Sequence, residues 1–188
     1  MHSCPEQSKL TELVALFYSS PAELGDFDRV SANSMPPEYQ KLLDHDQHMT
    51  VAMEAFHNSP VDVKVLQAKS SGDQYARRIL LTRQSDGSVV QFGIVRLNFA
   101  LLGADVRQEI ESQSAPLGRI LIRHNVMREI ELLDLWQVNP GPDLCRLFGA
   151  GGEETTYGRT AIIHCNGDAA IELLEIAAPV EENERVKG

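Results

Sequence analysis

Cysteine is scarce in this chain: Cys4, Cys145 and Cys165 are an odd set of three without CxxC spacing. That excludes a disulfide framework and a zinc knuckle, and a reducing compartment is expected. Lysine is scarce too, with five residues against twelve arginines, and acidic residues outnumber basic ones 27 to 17 for a net charge of −10. A surface with that balance repels phosphate backbones and anionic membranes, so neither nucleic acid nor membrane is expected as a partner. The arginine skew fits a carboxylate ligand, because the planar guanidinium fork meets a carboxylate with two hydrogen bonds. No segment approaches the 18 or so apolar residues of a membrane span, and the start MHSCPEQSKLTELVALFYSSP lacks a basic region leading into an apolar run. A cytoplasmic protein is therefore expected. There is no internal repeat, GxSxG elbow, GxxxxGK loop or HExxH pair, and Gly149-Ala150-Gly151-Gly152 runs into Glu153-Glu154 instead of an apolar helix. The common hydrolase, kinase and dehydrogenase chemistries lose their usual support.

With 43% hydrophobic and 23% charged residues in 188, the composition is that of one globular domain able to bury roughly two-thirds of its unfolded surface. Leu10, Leu13, Val14 and Phe17 lie at helical spacing within 6–19, ahead of Pro21. A loop follows through Gly25 to Pro36. Pro36-Pro37 then opens a second helix with Tyr39, Leu42 and Leu43 on its apolar side, ending near 44–48. From Met49 the alternation of Val51, Met53 and Ala55 predicts a strand, broken by Asn58-Ser59-Pro60 before the strand VDVKVLQAK. YARRILLT and SVVQFGIV flank Ser85-Asp86-Gly87-Ser88 and form a hairpin. Residues 104–113 read as a polar helix, 116–122 as a short helix, MREIELLDLWQV as a long strand, and 139–152 as a glycine- and proline-rich stretch whose glycine run at 149–152 would give a mobile loop. The last two strands meet at Asn166-Gly167, again a hairpin turn. This order predicts an α+β fold: a single antiparallel sheet of about six strands with flanking helices. N-terminal helices would occupy 1–48, the sheet core 49–179 and a frayed tail 180–188.

The candidate chemistry lies in ionisable residues set among apolar strand residues, a placement that costs free energy unless a partner or ligand compensates. Arg77, Arg128, Arg159 and Glu175 stand out. Arg77 and Arg78 are strand neighbours, so one points outward and the other toward core or cavity. A structural salt bridge is the plain alternative for Arg77. Glu175 shares strand parity with Ile171, Leu173 and Ala177; a buried carboxyl there would hold a proton near neutrality, whereas on an exposed edge strand it would be ordinary. His45 and His48 beside Asp44 and Asp46 invite a metal reading, but the spacing is poor and such residues commonly cap a helix end. Cys145 and Cys165 read as packing residues.

These residues, taken in order, resemble the chorismate lyase family (chorismate pyruvate-lyase, 4-hydroxybenzoate synthase). The matching series is Ser34-Met35, Arg77-Arg78-Ile79-Leu80-Leu81, Gly93, Pro116-Leu117-Gly118-Arg119, Arg128, Gly158-Arg159, and Glu175 shortly before Pro179. It spans about residues 34–179, and its specificity lies in the ordered series, since no single landmark is distinctive. The resemblance implies a chorismate lyase-like fold, a ligand buried under helical flaps, and no metal or organic cofactor. It implies that Arg77 pairs with a ring carboxylate, the backbone at Met35 and Leu117 contacts the ligand, and Glu175 meets the para oxygen. Arg128 or Arg159 is offered to a second carboxylate. On this reading Arg77 and Glu175 are catalytic, and chorismate is split into 4-hydroxybenzoate and pyruvate, with Glu175 as hydrogen-bond donor or general acid. The stretch from Val138 to Thr156 is longer than in the family and is expected to reshape a flap.

Two rival readings accompany the lyase. One is a non-catalytic aromatic-acid binding module, since sensor domains of some bacterial transcription regulators resemble this fold; no helix-turn-helix is apparent, so a DNA-bound sensor is not expected. The other is a sister lyase acting on a related enolpyruvyl or aromatic acid, in a pathway other than quinone synthesis. Oligomeric state is not legible in the sequence.

Overall fold

Apolar stripes at helical spacing and alternating strands assemble, in a computed structural model describing residues 7–181 and 184, into one sheet with helices on both faces. The helices are α1 (Gln7–Ala15), α2 (Pro37–Leu43), α3 (Met49–His57), α4 (Ala104–Glu111), α5 (Leu117–Arg123) and α6 (Pro142–Phe148). The strands are β1 (Gly25–Val30), β2 (Val61–Ser71), β3 (Gln74–Arg83), β4 (Val89–Asn98), β5 (Arg128–Pro140), β6 (Thr156–Cys165) and β7 (Asp168–Ala177). They pair antiparallel throughout in the order β1-β5-β6-β7-β4-β3-β2. The α+β class and antiparallel sheet agree with the sequence reading, with seven strands where about six were expected. Both hairpin turns also stand: β3 and β4 flank the Asp86-Gly87 turn, and β6 and β7 meet at Asn166-Gly167, where both residues have positive φ.

Three local expectations are corrected. The strand predicted from Met49 is helix α3, because Met49, Ala52, Met53 and Phe56 form an i, i+3, i+4, i+7 stripe that packs on the core, while Val51 stays exposed. Asn58 ends it in the left-handed conformation. The loop through 25–36 contains β1, whose only apolar side chains are Phe27 and Val30; tertiary pairing of Gly25–Val30 with Pro140–Leu135 makes it a strand. The glycine-rich stretch 139–152 contains α6, started by Pro142 and anchored by fully buried Leu144. Of the predicted tail, 182, 183 and 185–188 lie outside the described residues, as does residue 6 of the first helix.

Strand parity sorts the sheet into two faces. On one, Leu80, Phe92, Ile94, Leu174 and Ile176 pack against Leu13 and Val14 of α1 and Leu144 of α6. The other carries Ile79, Leu81, Val95, Ile163 and Leu173 and is covered by α2 to α5. Arg78 illustrates the consequence of covering both faces. It is only 22% exposed and donates from Nη1 to Tyr18 Oη at 3.0 Å and to Asp143 Oδ2 at 3.1 Å beneath α6. The insertion thus closes the face opposite Arg77 and is no flap over it.

Candidate functional site

The helix-covered side of β3, β4, β6 and β7 does not close completely. Between it and the first turns of α3 and α5 lies a cavity whose volume open to the centre of a water molecule is ≈ 40 Å³, enough for a few waters or the core of a small ligand. Its walls are mostly aliphatic, from Val63, Ile79, Leu81, Val95, Ile163 and Leu173, and its roof comes from residues 48–50 and 116–118. Gly118 lets the two roof helices approach: a Cβ there would lie 2.9 Å from His48 Cβ and 3.1 Å from Thr50 Oγ1. Arg119 locks the pair by bonding Glu54 of α3, and it also donates to Val61 O at 3.1 Å.

Arg77, on β3 beside the edge strand β2, points into this cavity and is only 1% exposed. Its Nε and Nη1 have no hydrogen-bond partner among the described residues, and burial pushes the guanidinium below its ordinary arginine value. A buried cation without a counter-charge is costly, and here the cost is borne at a cavity wall. The first-turn amides of α3, whose residues Met49 and Thr50 line the same space, add positive potential. Both features favour an anion.

Glu175 and Arg159 line the cavity as cross-strand partners, and Arg159 Nε donates to Glu175 Oε2 at 2.7 Å. Arg159 is fully buried, and its other nitrogens are committed to backbone. Nη1 donates to His45 O at 2.9 Å and Leu43 O at 3.5 Å, and Nη2 to Gln47 O at 3.0 Å. The turn 43–47 thus wraps an arginine, which accounts for the His-Asp cluster that suggested a metal. Among the described residues no group of three or more His, Cys, Asp or Glu is arranged to hold a metal ion. Glu175 is held by a fixed cation, so its apolar setting is compensated inside the protein.

The remaining site expectations separate. Leu117 lines the cavity; Met35 is buried in the cluster formed by α2 and does not. Arg128 belongs to an adjoining, more open groove with Asp46, Val51, Ile122 and Met127, and its Nε donates to His48 Nε2 at 2.6 Å. His48 belongs to the walls of both spaces. Sequence reasoning weighed His48 only as a metal ligand or helix cap, named Gly93 only as a landmark of the resemblance and passed over Gln91, although an amide and a glycine of equal parity within VVQFGIV were visible.

Burial first, and then Arg128 and Arg159, push the His48 pKa down from its ordinary 6.5 to about 4. As pH falls, the unfolded chain takes up this proton before the folded one does. The stabilisation is complete above about 6.5 and is lost as pH drops toward 4, with a slope of up to about 1.4 kcal/mol per pH unit. His45 and His57 are lowered as well, mainly by burial, and act with the same sign. Urea unfolding at pH 7, 6 and 5 is expected to show falling stability, less steeply in His48→Asn; an equal slope in the variant would remove His48 as a contributor.

No family model and no curated protein matches this chain. Among solved structures it superposes on PhnF from Mycobacterium smegmatis with a TM-score of 0.51 and 13% identity, over 70% of this chain and 63% of that one. It superposes on the effector domain of PhnF, also from Mycobacterium smegmatis, with a TM-score of 0.52 and 13% identity, over 70% and 88%. It also matches the ligand-binding domain of a protein assigned to the GntR family of transcriptional regulators from Bordetella bronchiseptica, with a TM-score of 0.46 and 13% identity, over 62% and 85%. The fold is chorismate lyase-like. The resemblance seen in the sequence therefore holds for the architecture. The expectation of a chorismate pyruvate-lyase is corrected: the structures that share this fold at a TM-score above 0.5 are PhnF and its effector domain, not an enzyme of that kind. No helix among the described residues is long and apolar enough to cross a membrane.

Proposed function

We propose that this chain is a non-catalytic binding module for a small carboxylate with an apolar, ring-sized body, of the aromatic-acid class. The observation that carries this reading is the buried Arg77 guanidinium, whose Nε and Nη1 lack hydrogen-bond partners among the described residues, on the wall of an aliphatic cavity. A carboxylate supplies the missing charge and two acceptors in one planar contact, so binding relieves a cost the empty fold bears. The aliphatic walls accept the body of the ligand. The donors of Arg159 are committed to Glu175 Oε2 and to backbone carbonyls, which leaves Arg77 as the cation for the ligand. The fold likeness to effector domains agrees with a sensing role.

Isothermal titration with benzoate and with benzamide, equal in shape but uncharged, tests the reading. Benzoate is expected to bind at least about 30-fold more tightly, the order of one buried charge-assisted contact. Equal affinities would sink the assignment of an anion site. A steric control follows from Gly93: a Cβ there would meet Ile79 and Leu174 O at ordinary contact distances of 3.4 and 3.5 Å while projecting into the cavity. Gly93→Leu is expected to abolish binding for about 1–3 kcal/mol of stability. Binding that survives in a folded Gly93→Leu protein would place the ligand elsewhere.

A further inference from the structure

Gln91 is a second orphan in the same cavity. It lies on β4 two residues from Gly93 and four from Val95, all on one face, and it is 3% exposed. Its Oε1 is buried and has no hydrogen-bond partner among the described residues. An amide oxygen placed so deep between Leu81 and Ala177, its cross-strand neighbours, costs free energy in the empty protein as surely as the unpaired cation does. Arg77 stands across from Val95 and Gln91 across from Leu81, so the two backbones are four residues apart along the paired strands, roughly 13 Å. Between them Gly93 contributes no side chain.

We infer that Gln91 determines specificity: the ligand carries an anionic head for Arg77 and, at the far end of its apolar body, a hydroxyl or amino group that donates to Gln91 Oε1. This rests on the carboxylate-binding reading and narrows it from any small apolar acid to hydroxy- or amino-substituted acids. An acid lacking the donor leaves Oε1 buried and unpaired in the complex, whereas the substituted acid satisfies both orphans at once. A site built around such a bond discriminates by the cost of the unpaired group as well as by the bond gained.

The test titrates the full chain with benzoate, 3-hydroxybenzoate, 4-hydroxybenzoate and 4-aminobenzoate, and repeats the series with Gln91→Met. The parent protein is expected to bind at least one substituted acid about 10- to 100-fold more tightly than benzoate. In Gln91→Met, which keeps the volume and removes the orphan, that preference should shrink below about 3-fold while benzoate affinity is held or improved. Benzoate binding equal to that of every substituted acid in the parent protein overturns the role of Gln91 and leaves the anion site intact. A preference that persists unchanged in a folded Gln91→Met protein overturns it as well. Failure of all four acids to bind overturns both this inference and the carboxylate-binding reading. Should Gln91→Met not fold, the parent comparison alone decides.

Discussion

Replacing Arg77 with methionine is expected to raise the stability of the unliganded protein by about 1–4 kcal/mol and to abolish carboxylate binding. Mutations at a buried polar site usually destabilise because they strand a partner, but Nε and Nη1 of Arg77 have none to strand. Methionine fills most of the same volume, adapts to the irregular wall and leaves no charge to desolvate. Its neighbours Ile79 and Val95 are aliphatic, so the variant side chain lies against surface of its own kind. Of the two arginines lining the cavity among the described residues, the same substitution removes the one with Nε and Nη1 free for a ligand, and binding should weaken by about 2–5 kcal/mol. Urea unfolding and titration with benzoate read the two effects separately. A loss of stability would show that Arg77 is held by a structural partner, and an unchanged affinity would remove it from the site.

The opposite sign is expected at Arg159. Arg159→Met removes the cation from a buried pair, leaving Glu175 without its counter-charge and the carbonyls of His45 and Gln47 without donors. Breaking such a pair from one side costs about 3–5 kcal/mol. Because the wrapped turn leads directly into His48 and α3, the roof of the cavity should loosen with it. Adding Glu175→Leu to Arg159→Met should recover part of the loss, since the stranded charge is then gone, while the open carbonyls keep the recovery incomplete. The comparison of single and double variants by chemical denaturation gives the coupling directly. A coupling near zero would mean that Arg159 acts on the turn alone and that the pair with Glu175 contributes little.

These contrasting expectations for two buried arginines show where sequence reading reaches its limit. Both residues sit in apolar strands with the same signature, a charge among aliphatic neighbours, and both were candidates for a ligand carboxylate. What separates them is whether backbone carbonyls from elsewhere in the chain come within reach. The turn 43–47 lies more than a hundred residues from Arg159 and meets it only because α2 packs on the sheet. No pattern near Arg159 signals this contact. Likewise the strand predicted from Met49 failed because Val51, Met53 and Ala55 fit an alternating template over a short window, while the helical stripe ending at Phe56 is decided by what it packs against.

The sequence by itself determined the α+β class, the two glycine-containing hairpins, the long strand over 128–138 and the opposite facing of Arg77 and Arg78, because alternation, turn chemistry and parity are local and act wherever the segment is placed; that Arg77 and Glu175 are the buried ones was left to the packing. The tertiary structure alone decided that β1 and α6 form, that Arg128 stands outside the cavity, that Arg159 is satisfied within the protein, and that Arg77 and Gln91 are not. Those outcomes depend on which distant groups arrive within hydrogen-bond distance, a property of the packed chain that no window of neighbouring residues contains.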